Sequence, residues 1–333
     1  MFSEKHVTVF PTYGYRKGDA WIVPVRVWVH KRRSIDSLSD DDIQTLLTGD
    51  DKVLVLSAED ITRCRARVAD FIADSDSGER VTLQCGGQRF RCSADTDANG
   101  LIEDEFNLSG SQSGSLTIAA TVEQTLGSEF EGTGSVTLLE PEGKSVVSDI
   151  DDTVKVTEVP AGPAIVLRNT FLRDYVAAEG MVDRYRHFGN PSFHYVSGSP
   201  WQFFRPLEKF LTESGFPRGT FHMKDLRTSP RQLPTFLHDL KALVTGKQNT
   251  RTQKLEQISL LMKHFPGRTF TLIGDSGELD PEVFTELREK HGRQVEKIVI
   301  RDVTDAETRT TRLKAVDEVI HAPVITPGLS RLM

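Results

Sequence analysis

The chain has 333 residues, of which 38% are hydrophobic and 27% are charged, and its formal net charge is −7 at pH 7. This length suits two domains with separate cores, and the composition is that of an ordinary globular protein. An acidic chain lacks the basic surface that nucleic acid requires, so we expect no nucleic-acid partner. No stretch approaches the roughly 18 apolar residues that span a bilayer, so we expect no transmembrane segment.

The cysteines and the first residues indicate the compartment. Cys64, Cys85 and Cys92 are far apart and do not have the spacing of a metal site. Residues 1–6 lack the charged-then-apolar layout of a secretory signal. Free thiols in a reducing compartment are the simplest interpretation. We therefore expect a cytoplasmic protein, and peripheral contact with membranes stays an open alternative.

The first 140 residues are rich in strand patterns separated by turn signals. Strands are predicted at residues 7–10, 20–29, 81–83, 88–93, 115–120 and 134–139. Helices are predicted at residues 40–47 and 58–72. The pattern predicts an N-terminal domain over residues 1–140, like a β-sandwich with helical insertions. This domain could help docking to a bilayer or shield the second sheet.

Residues 95–102 match the first eight positions of a calcium-binding EF-hand loop. The twelfth position, which should supply a bidentate glutamate, is Phe106. The dipeptide Asn99-Gly100 favours a tight turn between two strands. We interpret the segment as a β-turn.

After a short linker at residues 140–144, buried strand patterns alternate with helical ones. Strands are predicted at residues 192–200, 269–273 and 295–300, and helices at residues 201–211, 253–264 and 281–291. This alternation predicts an α/β domain over residues 144–333 with a doubly wound parallel sheet. Residues 159–171 are apolar but broken by two prolines and a glycine, and could form a lid.

Three carboxylates in four positions, Asp149, Asp151 and Asp152, directly follow the apolar pair Val146-Val147. Such charge density after a buried strand opposes folding unless a cation or a charged substrate compensates it. Ligands of open α/β sheets bind at the carboxyl ends of strands. The sequence therefore predicts a charged site at this strand end.

Later segments supply groups of complementary chemistry. Ser197 follows the next buried strand, and Asp275 and Asp280 follow the third. Lys254 lies in the helix before that third strand. Each residue has an alternative interpretation: Ser197 could be an ordinary turn serine, Lys254 a solvated helix residue, and Asp275 and Asp280 a turn residue and a helix N-cap. Ser199 is the other candidate for the role of Ser197.

These four segments, in this order, resemble the four motifs of the haloacid dehalogenase superfamily of phosphoryl-transfer enzymes. The strings at residues 148–155, 193–202 and 272–282 are similar to the catalytic domain of the actin-patch-associated, Mg²⁺-dependent phosphatidate phosphatases of fungi. The resemblance covers residues 146 to about 303. The long proline-rich tail through which fungal members meet cytoskeletal partners has no counterpart here, so actin-patch association is not expected.

The resemblance implies a haloacid-dehalogenase-like fold and four catalytic roles. Asp149 would attack phosphorus and form an aspartyl-phosphate. Asp151 would protonate the leaving oxygen and then activate water. Ser197 would bind the phosphoryl oxygens, and Lys254 would neutralise the charge on nucleophile and phosphate.

The resemblance also implies a Mg²⁺ cofactor. Its ligands would be the side chains of Asp149 and Asp275 and the backbone carbonyl of Asp151, with Asp280 supporting or replacing one of them. Asp152 is expected to hold the loop.

The expected reaction is hydrolysis of phosphatidate, a membrane phospholipid, to diacylglycerol and phosphate. A phosphatase of a soluble phosphomonoester is the alternative within the enzymes, because the motifs define phosphate chemistry and not the leaving group. A catalytically inactive scaffold or binding protein is the alternative from another class. Arg301 could face the phosphate or be a surface charge, and His194 is predicted to be a hydrogen-bonded core residue.

Overall fold

The computed structural model describes residues 5–31, 39–40, 43, 56–71, 74–110, 112–123, 129–225, 247–304 and 311–322. The strands in this part of the chain are β1 (Lys5–Val9), β2 (Thr12–Lys17), β3 (Ala20–Lys31), β4 (Asp74–Ser75), β5 (Val81–Cys85), β6 (Gln88–Arg91), β7 (Leu101–Leu108), β8 (Gly114–Glu123), β9 (Glu129–Leu138), β10 (Glu142–Ser148), β11 (Ser192–Pro200), β12 (Gly219–Lys224), β13 (Gly267–Asp275), β14 (Val295–Asp302) and β15 (Glu318–His321). The α-helices are α1 (Ala58–Phe71), α2 (Pro163–Phe171), α3 (Met181–Arg186), α4 (Phe204–Ser214), α5 (Lys247–His264) and α6 (Asp280–His291).

The first nine strands form one continuous sheet in the order β1-β3-β2-β9-β8-β5-β6, with β4 and β7 also paired to β3. All of its ladders are antiparallel except β2–β9, which is parallel. Alternate apolar side chains of β3, β5, β7, β8 and β9 point into one shared core. The apolar face of this sheet therefore has a core of its own.

The other six strands form a second sheet in the order β12-β11-β10-β13-β14-β15. Every neighbouring pair in it is parallel. The carboxyl ends of β10, β11, β13 and β14 therefore lie at the same edge. This arrangement brings together the polar segments that follow those strands.

The predicted fold class, a doubly wound α/β haloacid-dehalogenase-like sheet preceded by a β-sandwich, is wrong for this chain. Strands predominate over helices in the described residues, and the larger sheet is mixed and mostly antiparallel. Helices also do not alternate evenly with the parallel strands, since two short ones, α2 and α3, separate β10 from β11. Strands β2 and β7 were not predicted because their exposed positions carry charged or polar side chains that interrupt the apolar pattern.

The EF-hand-like segment is a turn, as the interpretation from sequence required. The carboxylate of Asp97 accepts the backbone N–H groups of Asn99 (2.8 Å) and Leu101 (3.0 Å). Gly100 has φ of +68°, a left-handed conformation that favours glycine. The predicted helix at residues 58–72 is present as α1, whereas most of the one predicted at residues 40–47 lies outside the described residues.

Aromatic side chains join the two sheets. The rings of Trp28 and Trp201 meet edge to face at 4.5 Å between centroids, and those of Phe10 and Phe204 lie 4.9 Å apart. These residues belong to one buried cluster that spans both halves of the chain. The division into domains at residues 140–144 stays a prediction, because the two sheets share this core.

Within the residues described, we find no helix that is both long enough and apolar enough to cross a membrane.

Candidate active site

Asp149 lies where the chain leaves the end of β10. Its backbone N–H donates to the carbonyl of Ile273 on β13 (2.8 Å), so the residue stays tied to the neighbouring strand. Its side chain is almost fully buried, and Oδ2 accepts the Thr153 hydroxyl (3.2 Å). The loop thus presents a buried carboxylate at the carboxyl edge of the second sheet.

Lys254 on α5 connects the predicted site residues. Its ammonium donates to Oδ1 of Asp149 (2.8 Å), Oδ1 of Asp280 (2.6 Å) and Oε2 of Glu278 (3.0 Å). The side chain is only 3% exposed, which excludes the alternative of a solvated helix lysine. One cation is therefore shared by three carboxylates that come from two separate loops.

Burial and charge act in opposite directions at this cluster. Burial favours the neutral amine of Lys254, but the charges of Asp149, Asp280 and Glu278 outweigh it and raise the pKa of Lys254 well above its ordinary value. Burial raises the pKa of Asp149; Lys254 opposes this rise, whereas the neighbouring carboxylates add to it. The lysine is thus firmly charged, and the cluster still has an excess of negative charge.

Asp151 has its own set of hydrogen-bond donors. They are Lys155 (2.8 Å), Thr157 (2.7 Å), Ser199 (2.9 Å) and, at a longer distance, Ser197 (3.4 Å). Burial by itself would raise the pKa of this carboxyl, but the charge of Lys155 and these hydrogen bonds lower it to about 2. Asp151 is therefore an ionised carboxylate at neutral pH.

Asp275 and Asp280 follow β13. Oδ1 of Asp275 accepts the N–H groups of Gly277 (2.6 Å) and Glu278 (3.0 Å), whereas the buried Oδ2 has no hydrogen-bond partner among the described residues. Burial raises the pKa of Asp275 well above its ordinary value, and the charges of Asp280 and Asp149 raise it further. Both oxygens of Asp280 are engaged, since Oδ2 accepts the N–H of Asp275 (3.3 Å) and Oδ1 accepts Lys254.

Three carboxylates converge closely enough to hold a metal ion. One oxygen from each of Asp149, Asp275 and Glu278 lies within 4.8 Å of the other two. The partnerless Oδ2 of Asp275 and the excess negative charge fit a hard divalent cation with oxygen ligands. Asp151 and Asp280, both named from the sequence, do not belong to this group, and their roles as ligands stay predictions.

Glu278 was missed by the analysis of the sequence. It lies within the same acidic turn as Asp275 and Asp280, so the density of carboxylates was the available signal. Which of these side chains points toward Asp149 depends on the conformation of the turn.

Asp152 holds the segment that follows it. Its carboxylate accepts the backbone N–H groups of Thr157 (2.8 Å), Glu158 (2.7 Å) and Val159 (2.6 Å). Its carbonyl accepts the guanidinium of Arg301 (2.8 Å), which is buried and therefore not a surface charge. Asp152 thus anchors the loop, as the sequence predicted.

The apolar segment at residues 159–171 begins beside the site. It consists of a short 3₁₀ turn, Val159–Ala161, followed by α2. Cγ of Pro160 is so near Gly277 that a Cβ atom added there would lie 2.7 Å from it. Pro160, Ala161 and Ala164 are exposed. The segment therefore borders the acidic turn, the position that a lid requires.

His194 is a core residue, as predicted. It is fully buried on β11, and its ring nitrogens contact the hydroxyls of Thr220 (2.8 Å) and Ser145 (3.4 Å). Burial lowers the pKa of His194 well below its ordinary value, so the ring is neutral.

Comparison with known proteins finds sequence similarity over the segment that carries this site. Residues 144–302 match the family model described as "Phosphatidate phosphatase APP1, catalytic domain". Phosphatidate phosphatase APP1 of Saccharomyces cerevisiae is 31% identical over 166 residues, which are 48% of this chain and 26% of that protein. An uncharacterised protein of Schizosaccharomyces pombe is 30% identical over 195 residues, 56% of this chain and 30% of that protein.

The chain thus spans less than a third of the length of these two relatives. Among solved structures, the CARDB domain of a Pyrococcus furiosus protein aligns with 41% of this chain and 90% of that chain, at 12% identity and a TM-score of 0.19. This score is too low to indicate a common fold.

Proposed function

We propose that this protein is a Mg²⁺-dependent phosphatase that hydrolyses phosphatidate to diacylglycerol and phosphate through an aspartyl-phosphate. The observation that carries the proposal is that carboxylate oxygens of Asp149, Asp275 and Glu278 lie within 4.8 Å of one another. The ammonium of Lys254 also donates a hydrogen bond to Asp149. The similarity of residues 144–302 to the catalytic domain of phosphatidate phosphatase APP1 supports it.

Asp149 is the proposed nucleophile. Lys254 and Thr153 donate to its two oxygens and hold the carboxylate in one orientation. Attack of one oxygen on phosphorus forms the aspartyl-phosphate and releases the alcohol oxygen of the substrate. The positive charge of Lys254 offsets the charge that accumulates in this step.

Asp151 is the proposed acid and base. A bound phosphate dianion would raise its low pKa, so that the carboxyl can protonate the leaving oxygen. As a carboxylate again, it then takes a proton from the water that hydrolyses the aspartyl-phosphate. Ser199, which is nearer to Asp151 than Ser197 is, orients this side chain, and Ser197 is left to contact phosphoryl oxygens.

Mg²⁺ fits the three converging carboxylates, and Asp149, Asp275 and Glu278 are the residues that would hold it. When bound, the ion would offset the negative charge shared by these carboxylates and the phosphate. Burial raises the pKa values of Asp149 and Asp275, and repulsion from neighbouring carboxylates, which a cation would relieve, raises them further.

A phospholipid substrate requires peripheral contact with a membrane. Pro160 borders the site, and together with the exposed Ala161 and Ala164 it offers a small apolar surface to acyl chains. We propose a cytoplasmic protein that meets the bilayer through this edge. A soluble phosphomonoester is the second candidate substrate.

The test compares two substrates at one Mg²⁺ concentration: phosphatidate in detergent mixed micelles and p-nitrophenyl phosphate in solution. Release of phosphate from the lipid at a kcat/KM at least tenfold higher is the expected result. Equal release from both would support the soluble substrate, and no release from either would support an inactive scaffold.

Asp149→Asn is the diagnostic variant, because an amide cannot form the acyl-phosphate. The matched control is Asp183→Asn, an exposed aspartate on α3. We expect no phosphate release from Asp149→Asn and wild-type release from the control. Activity retained by Asp149→Asn would contradict the proposed nucleophile.

A further inference from the structure

Arg312 lies beyond the segment that matches the catalytic family, in the connection between β14 and β15. Its guanidinium nevertheless reaches the acidic turn after β13. One terminal nitrogen donates to the carbonyl of Ser276 (2.6 Å), and the other donates to the carbonyl of Glu278 (2.5 Å). The two ends of the three-residue segment 276–278 are thus held by one side chain.

The same guanidinium also binds the first turn of α6. Its Nε and one terminal nitrogen donate to the two oxygens of Glu282, at 2.5 and 2.8 Å. This two-point contact fixes the plane of the guanidinium, which a single contact would leave free to rotate. Arg312 therefore holds the acidic turn at a set position against α6.

The turn has an internal constraint as well. The carboxylate of Asp275 accepts the backbone N–H groups of Gly277 and Glu278 in the turn. The Ser276 hydroxyl donates to Asp302 (2.8 Å). These contacts leave the carbonyl groups of the turn unbound, and Arg312 donates to two of them, those of Ser276 and Glu278. With donors and acceptors of the turn both engaged, the backbone directs the Glu278 side chain toward Lys254 and the carboxylates of Asp149 and Asp275.

We propose that Arg312 is a positioning residue for the cation site, which it serves by fixing the backbone from which Glu278 reaches that site. The inference rests on the Mg²⁺ site proposed above. Outer contacts that orient metal ligands typically contribute about 10- to 100-fold to metal affinity. A lysine at this position keeps the charge but cannot bind two carbonyls and a carboxylate in one plane.

The experiment is calorimetric titration of the purified full chain with MgCl₂ alone, without substrate. We expect Arg312→Lys to raise the Kd for Mg²⁺ about 10-fold. The matched control is Arg288→Lys, because Arg288 binds the same connection at the Ala315 carbonyl (2.9 Å) and at Asp317, away from the acidic turn. The control should lose thermal stability to a similar extent and keep its Kd within about twofold.

Glu282→Gln is the second variant and serves if Arg312→Lys does not fold. It keeps the side-chain shape, removes the charge that orients the guanidinium, and should also raise the Kd for Mg²⁺. A folded Arg312→Lys or Glu282→Gln with the wild-type Kd would overturn the inference, as would an equal rise in Arg288→Lys. If the wild-type chain bound no Mg²⁺, both this inference and the proposed metal dependence would fail.

Discussion

The ammonium of Lys254 lies 2.8 Å from a carboxylate oxygen of Asp149, and both side chains are almost fully buried. The two residues are 105 positions apart and come from different elements, α5 and the loop after β10. The same ammonium binds Asp280 and Glu278. Removal of Lys254 would therefore leave three carboxylates without their shared counter-ion.

We expect Lys254→Met to reduce phosphatase activity about 100-fold or more, because charge on the phosphoryl group is no longer offset. Stability should fall by about 3 kcal/mol in the absence of Mg²⁺, since a buried ion pair is broken. Phosphate release and thermal melting measure the two effects. Lys263→Met, which alters an exposed lysine of the same helix, should change neither. A stable, active Lys254→Met would show that the cluster has no catalytic role.

Asp275→Asn should have opposite effects with and without the metal. The pKa of Asp275 is raised by burial and by Asp280 and Asp149, so its ionised form opposes folding at pH values above the ordinary carboxyl pKa. Without divalent cations at pH 8, the variant should melt a few degrees higher than wild type, since about 1 kcal/mol corresponds to roughly 2–4 °C.

The Mg²⁺-dependent rise in melting temperature should disappear in Asp275→Asn, because a ligand is lost. Differential scanning calorimetry with EDTA measures the melting temperature without divalent cations, and the same measurement with MgCl₂ gives the rise that Mg²⁺ causes. A variant that melts lower than wild type in EDTA would show that Asp275 contributes to stability by its hydrogen bonds, and not only to the binding of a cation.

Gly274→Ala should displace Asp280. A Cβ atom at Gly274 would lie 2.6 Å from Cβ of Asp280, and the contact involves the base of the side chain, which cannot rotate away. We expect reduced activity and weaker Mg²⁺ binding with the fold retained. Gly189→Ala is the control, because φ of +79° makes it strained, by about 1 kcal/mol, while nothing lies within 4 Å of the added atom. Comparable activity losses in both variants would contradict a specific effect on Asp280.

The buried His194 and the half-buried His222 should make stability fall in acid. Burial lowers the pKa of His222 to about 4, so the folded chain resists protonation that the unfolded chain accepts near pH 6.5. The stabilisation is complete above pH 6.5 and is lost as the pH falls from there toward 4. Between pH 7 and pH 5 the free energy of unfolding should decrease by about 1–2 kcal/mol on account of this side chain.

His222→Gln should remove that part of the pH dependence, as measured by urea unfolding at several pH values. His187→Gln, at an exposed position, should leave the pH dependence unchanged. A wild-type slope in His222→Gln would assign the acid sensitivity to other groups, of which the buried His194 is the first to test.

The sequence predicted local features well where a pattern lies within one segment. The strands that carry the site were predicted because apolar, β-branched runs end abruptly in polar turns. The turn at Asn99-Gly100 was predicted from that dipeptide alone, and the core position of His194 from the apolar residues on either side of it. The fold class did not follow, because strands such as β7 place charged residues on their exposed positions and pair with distant partners.

The sequence alone determined which chemical groups make up the site. They are acidic side chains after two strands, a serine after a third strand, and a lysine in the helix before one of these strands. Only the tertiary structure decided which groups are in contact. It places Glu278 beside Asp149 and Asp275. It also places Ser199 nearer to Asp151 than Ser197 is, and it brings Arg312 into contact with the acidic turn. The physical reason is that hydrogen bonds and ion pairs require contact within about 3 to 4 Å. Contacts at that distance depend on strand register and on the path of turns, which long-range packing sets.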